Sequence, residues 1–103
     1  MIVYNVTVKV DLDVHDDWLK WMKGVHIPDV MKTGKFLKNG LYRLLIDEAD
    51  GVTYSVQYQC NSIGELNLYQ QEDAPRLQQE HNQRYANKYV AFRSLLEEVY
   101  LGG

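Results

Sequence analysis

His26, His81, Arg43, Asn5 and Gln57 are the side chains of this 103-residue chain whose chemistry extends beyond packing. A neutral imidazole removes a phenolic or enolic proton, and a guanidinium beside side-chain amides holds the oxyanion that results. His26 and His81 are therefore the candidate catalytic bases. Arg43, Asn5 and Gln57 are candidate ligand-binding groups, with the Trp21 ring as a stacking surface for a planar ligand. Each also has a structural use. His26 falls where a helix should end, and satisfying the freed carbonyls is its first expected role. His81 lies four residues from both Leu77 and Tyr85, a spacing that fits a hydrogen-bonded core histidine at least as well as a base. Trp18 and Trp21 suit a core or an interface rim, and Arg43 suits a salt bridge to Glu97 or Glu98 across the barrel or dimer seam.

Other chemistries lack their parts. No three histidines have a metal-ligand spacing and H-E-x-x-H is absent, so no metal is expected. Cys60 is the one cysteine; it cannot form an internal disulfide and reads as a structural thiol in a reducing compartment. There is no nucleophile elbow and no glycine-rich anion loop. The net charge is -3, with the 11 Lys and Arg residues scattered, so nucleic acid is not an expected partner. The N-terminus alternates instead of running apolar. It is neither a signal peptide nor a membrane span, and a cytoplasmic location is expected. Hydrophobic residues make up 46% and charged ones 24%, ordinary globular usage for a single domain over 1–103.

The chemistry depends on the elements that position it. Ile2, Tyr4, Val6, Val8 and Val10 alternate with Asn5, Thr7 and Lys9, so residues 2–10 read as a half-buried strand. Asp13 is the expected cap of a helix whose stripe is Val14, Trp18, Met22 and Val25. Pro28 disfavours helical geometry at Ile27, so that helix should end near His26 and a short second one should stop at Gly34. His15, among acids in the first turn, should be exposed. Asn39-Gly40 reads as a turn before LYRLLID, and Asp50-Gly51 as another before VTYSVQYQC, giving a hairpin over 41–60. Tyr42, Leu44 and Ile46 would then face the helices. Arg43 would share the open face with Asn5, Ser55 and Gln57. Ser62 to Glu65 fits a capping box that opens helical structure to about Ala86, restarted at Pro75 with Asp73 as a cap. Residues 90–100 also fit helical spacing, but their aromatic and β-branched content and the need for a fourth strand favour β.

The resulting order is the α+β, ferredoxin-like βαββαβ arrangement: a four-stranded antiparallel sheet with helices on one face. The runs WLKWMKGVHIPDVMKTGKF, RLQQEHNQRY and FRSLLEEV also resemble a bacterial domain family of unknown function in the dimeric α/β barrel superfamily, which is antibiotic biosynthesis monooxygenase-like. The resemblance covers almost the whole chain. It implies that two sheets meet through their open faces in a homodimer, with residues 90–100 extending toward the partner. Members of that superfamily include cofactor-free monooxygenases acting on quinols and polyketides, haem-degrading enzymes, lactone isomerases and stress-induced barrels. The haem-degrading ones place an Asn on the first strand, a Trp on the third and a haem-ligating His on the second helix. Asn5 and His81 match in element, but VTYSVQYQC has no Trp, which argues against haem.

Two functions remain open. One is a barrel that binds a small anionic or phenolic ligand, as a monooxygenase or isomerase acting on a phenolic, quinol or enolic compound with no cofactor. The other is a non-catalytic homodimeric binding or assembly module. A ligand-sized cavity beside Arg43 would favour the first, and a filled interface the second.

Overall fold

In the computed structural model, which describes residues 1–103, the alternation at the N-terminus becomes β1 (Ile2–Asp11) and that of VTYSVQYQC becomes β3 (Gly51–Cys60). Their antiparallel register sets like against like. Tyr4 lies opposite Tyr58, Val6 opposite Val56, Val8 opposite Tyr54 and Val10 opposite Val52 on one face; Asn5 lies opposite Gln57 and Thr7 opposite Ser55 on the other. A one-residue slip would exchange the two sets, so the burial of one face fixes the register. β2 (Lys38–Arg43) pairs with the outer edge of β3, and β4 (Tyr89–Glu97) with the free edge of β1, giving the order β2-β3-β1-β4.

Helices cover the apolar face alone. α1 (His15–Trp21) passes through a π-helical turn (Met22–His26) into α2 (Ile27–Lys32); α3 (Ile63–Glu72) and α4 (Ala74–Tyr85) follow β3. Trp18, Met22 and Val30 from the first helical run, with Leu66, Tyr69, Leu77 and Tyr85 from the last two helices, pack on the strand residues in one core. This is the ferredoxin-like α+β fold anticipated above, a four-stranded antiparallel sheet with helices on one face.

Several local expectations are overturned. Pro28 does not end the first helix. Ile27 keeps helical geometry (φ -60, ψ -46), and its N–H donates to the carbonyl of Met22, five residues back. That wider turn makes room for the proline ring, which would otherwise strike the carbonyl of Gly24. His26 therefore sits inside a continuous helical run and caps nothing. Asp13 does not cap either: it lies in a 3-10 turn (Leu12–Val14), and its carboxylate takes Lys88 Nζ at 2.6 Å. Asp73 likewise accepts from Lys35 Nζ at 3.0 Å, while the Ser62 hydroxyl does accept the Glu65 N–H as expected. His15 is half-buried, 2.6 Å from the Tyr54 hydroxyl.

The second strand begins earlier than LYRLLID and has the opposite facing. Leu41 pairs with Val56 and packs on the core, whereas Tyr42 pairs with Ser55 and is 55% exposed. Gly40 stays in the strand rather than turning, with the Tyr42 ring over it at 2.6 Å from where a Cβ would stand. Leu44 to Asp50 form a wide connection closed by Glu48, whose carboxylate accepts from the Thr53 N–H (3.0 Å) and hydroxyl (2.6 Å). Glu48→Ala should therefore lower stability by about 1–3 kcal/mol, because two donors lose their partner in a part-buried site. Urea denaturation tests this; an unchanged midpoint would show that water replaces the carboxylate.

Candidate functional site

The helices do not fill the whole space above the sheet. Between β1 and β4 below and the π turn and α4 above lies a cavity of about 50 Å³, walled by Val6, Val8, Val56, Met22, Val30 and Ala91. That volume takes a few waters or the head of a larger molecule, and falls short of the roughly 300 Å³ of an ordinary ligand pocket. Its polar lining residues are His26, His81, Arg93, Gln78 and the tyrosines Tyr4, Tyr58, Tyr69 and Tyr89. Exposed Arg93 and half-buried Gln78 stand at its outer rim.

His81 reaches the cavity because α4 carries Leu77, His81 and Tyr85 at intervals of four on its buried face. Trp18 Nε1 donates to His81 Nε2 at 2.9 Å within the core. Tyr89, Tyr85 and Trp21 pack around the ring at centroid distances of 4.4, 5.5 and 5.8 Å. His26, stacked on Trp21 at 5.0 Å, lies 5.7 Å from His81. Its Nδ1 is buried without a partner. Burial pushes both imidazoles down to about 4; the Arg93 guanidinium adds to this at each, His26 adds further at His81, and Asp29 opposes it at His26. Both rings are therefore neutral at pH 7. A base of that strength is a poor match to neutral-pH proton abstraction.

Arg93 comes from β4, opposite Val6 on the helix side of the sheet. Its Nε donates to the Tyr4 hydroxyl at 3.0 Å, which steadies the guanidinium at the rim. Burial raises the Tyr58 and Tyr69 hydroxyls above the ordinary phenol range, so both remain protonated donors. The arrangement offers one cation and several neutral donors in an apolar shell, a setting that favours an oxygen acceptor with partial or full negative charge.

Of the residues read from sequence, only His26 and His81 meet here. Arg43 pairs with Tyr54 at the outer edge of the sheet and so lies on the helix side, not on the open face with Asn5 and Gln57. Glu97 and Glu98 lie at or just beyond the end of β4, the opposite edge strand, so Arg43 forms no ion pair with them within one chain. The cavity is not beside it. Asn5 and Gln57 do share the open face, but their bonds are internal: Ser55 Oγ donates to Asn5 Oδ1 (2.6 Å), Asn5 Nδ2 donates to Ser94 Oγ and Thr7 Oγ1 (3.1 Å each), and Gln57 Nε2 donates to Ser55 Oγ (3.2 Å). Trp21 lines no part of the cavity; it backs His26 on one side and carries the Arg84 guanidinium 5.7 Å from its centre. Arg93 was missed. The alternation of FRSLLEEV against β1 could have found it, since Val6 faces the helices.

Asn5 and His81 occupy opposite faces of the sheet, so the haem-site pairing that the resemblance implied is not assembled. A porphyrin does not fit these residues. The cavity is too small for one, and the His81 nitrogen nearest Trp18 is already engaged as an acceptor. No three His, Cys, Asp or Glu side chains converge as a metal set, and no helix is long and apolar enough to cross a membrane.

The fold recurs in solved structures. HapK from Hahella chejuensis superposes with a TM-score of 0.72 at 10% identity, covering 100% of both chains. A point mutant of MhuD with two manganese protoporphyrin IX bound per active site gives 0.73 at 17% identity, covering 100% of this chain and 99% of that one. A monooxygenase from the gene ActVA-Orf6 of Streptomyces coelicolor, in complex with Nanaomycin D, gives 0.59 at 13% identity over 99% and 92%. At such identities the likeness is one of fold. No curated protein matches in sequence. The family model described as a domain of unknown function, DUF4286, matches residues 1–99.

Proposed function

From the premise that the chain belongs to the DUF4286 family, we propose that it is a homodimeric α/β barrel whose helix-side cavity binds a small organic molecule by an anionic or phenolic oxygen. The observation that carries this reading is the convergence of Arg93, His81 and protonated tyrosines on an otherwise apolar cavity. Asn5, Thr7, Ser55 and Ser94 of the open face, by contrast, already bond to one another. The cavity takes the oxygen-bearing head, and the rest of the ligand lies over the rim beside Arg93 and Gln78. The dimer forms through the open face, where Tyr42, Val90, Phe92 and Leu96 are exposed apolar side chains that need cover.

Cofactor-independent oxygenation or isomerisation fits this reading under one condition. The two imidazoles are neutral yet weakly basic, so the compound must enter as its anion or with an unusually acidic proton. The site's contribution is then stabilisation of that charge.

The test is a thermal-shift screen of benzoate, phenol and hydroquinone against the protein and its Arg93→Gln variant. Benzoate should stabilise the protein, and the variant should bind it roughly 10- to 150-fold more weakly, the equivalent of one lost charge-assisted hydrogen bond. The small volume favours a second reading, a non-catalytic assembly module. No shift with any probe, together with a stable dimer, would select it.

A further inference from the structure

His81 is held by a residue that touches no ligand space. The Trp18 indole has one N–H and no acceptor, and that N–H points at His81 Nε2 from 2.9 Å. The Nε2 atom must therefore present its lone pair, which leaves the ring proton of the neutral imidazole on Nδ1. Trp18 is fully buried and lies 5.0 Å from the Tyr54 ring, so the donor cannot swing away. Nδ1 makes no hydrogen bond within the protein, and the His81 ring lines the cavity.

We infer that Trp18 is a positioning residue that locks His81 as the Nδ1–H tautomer, so that His81 serves the cavity as a hydrogen-bond donor and selects ligands bearing an oxygen acceptor. This rests on the cavity reading above and sharpens it. A proton cannot be added at Nε2 without setting two N–H groups against each other, so His81 is not the base of any reaction run here. Groups facing it from the other packed elements are His26 on the π turn, Tyr89 and Arg93 on β4 and Tyr85 on its own helix. None supplies a carboxylate that would stabilise an imidazolium.

The direct test needs no variant. Long-range ¹⁵N–¹H NMR correlations of the imidazoles in the wild-type protein at pH 7 should show His81 protonated at Nδ1 and bare at Nε2, unchanged down to pH 5.5. An Nε2–H tautomer or an imidazolium at pH 7 would overturn the inference. Trp18→Phe keeps an aromatic ring beside Tyr54 and removes the donor. In that variant the tautomer preference should fall by roughly tenfold, the scale of one net hydrogen bond, and His81 should titrate at higher pH. A folded variant with tautomer and titration unchanged would assign Trp18 to packing alone. The spectra report on the lock whether or not a probe binds. Absence of benzoate binding with the Nδ1–H tautomer intact would count against the ligand reading and leave the lock standing.

Discussion

Phe92→Asp is expected to convert the proposed homodimer into a monomer at micromolar concentration. Phe92 pairs with Thr7 on the open face and is 65% exposed in the single chain, with Val90 and Leu96 exposed two places before it and four after it on the same strand. An isolated sheet would leave this stripe and Tyr42 in water, and a second copy related by a twofold axis would cover both stripes at once. An aspartate at the same place would bring a charge into each half of the interface, where an unpaired ion costs several kcal/mol. Sedimentation should show the wild type at twice the 12.0 kDa chain mass and the variant at that mass, still folded by circular dichroism. A wild-type monomer would remove the barrel from the proposal.

Acid should destabilise the fold well above the range in which carboxylates titrate. His26 and His81 are held down to about 4 in the folded protein against 6.5 for a free imidazole. The unfolded chain therefore binds more protons between those values, and stability falls as pH drops through that window and is complete above it. For His81, 8% exposed, the difference corresponds to about 3 kcal/mol. The exposed carboxylates of Asp17 and Asp50 are shifted in the lower direction by Tyr85 and Lys9 respectively, so they contribute below the window. Denaturation midpoints at pH 7 and 4.5 measure the effect. His81→Phe should flatten the slope, and an equal slope in that variant would move the origin elsewhere.

The sheet was legible because alternation in β1 and β3 is set by burial of one face, a signal each strand carries within itself. Facing in β2 was not, since LYRLLID sets the apolar Tyr42, Leu44 and Ile46 against a row that contains Arg43 and Asp47, a pattern that points to the wrong face because the strand ends at Arg43. Only the pairing of Leu41 with Val56 and the closure of the loop by Glu48 decide it. Arg43 was misplaced with that strand, and the expected site moved with it. His26 and His81 were found by type and spacing, but their neutrality comes from Trp18, Trp21, Tyr85 and Tyr89, neighbours that no local pattern announces. The π turn was hidden for a similar reason: Pro28 signals a break, and the bond from the Ile27 N–H to the Met22 carbonyl carries the helix past it.

The most direct measurement of where a ligand sits is an NMR titration with benzoate, following backbone amides on both faces of the sheet. Saturable shifts at Gln78, His81, Ala91 and Arg93, lost in Arg93→Gln, are the predicted result. Shifts confined to Thr7, Ser55, Gln57 and Ser94, or none up to the solubility limit, would contradict a ligand site on the helix side.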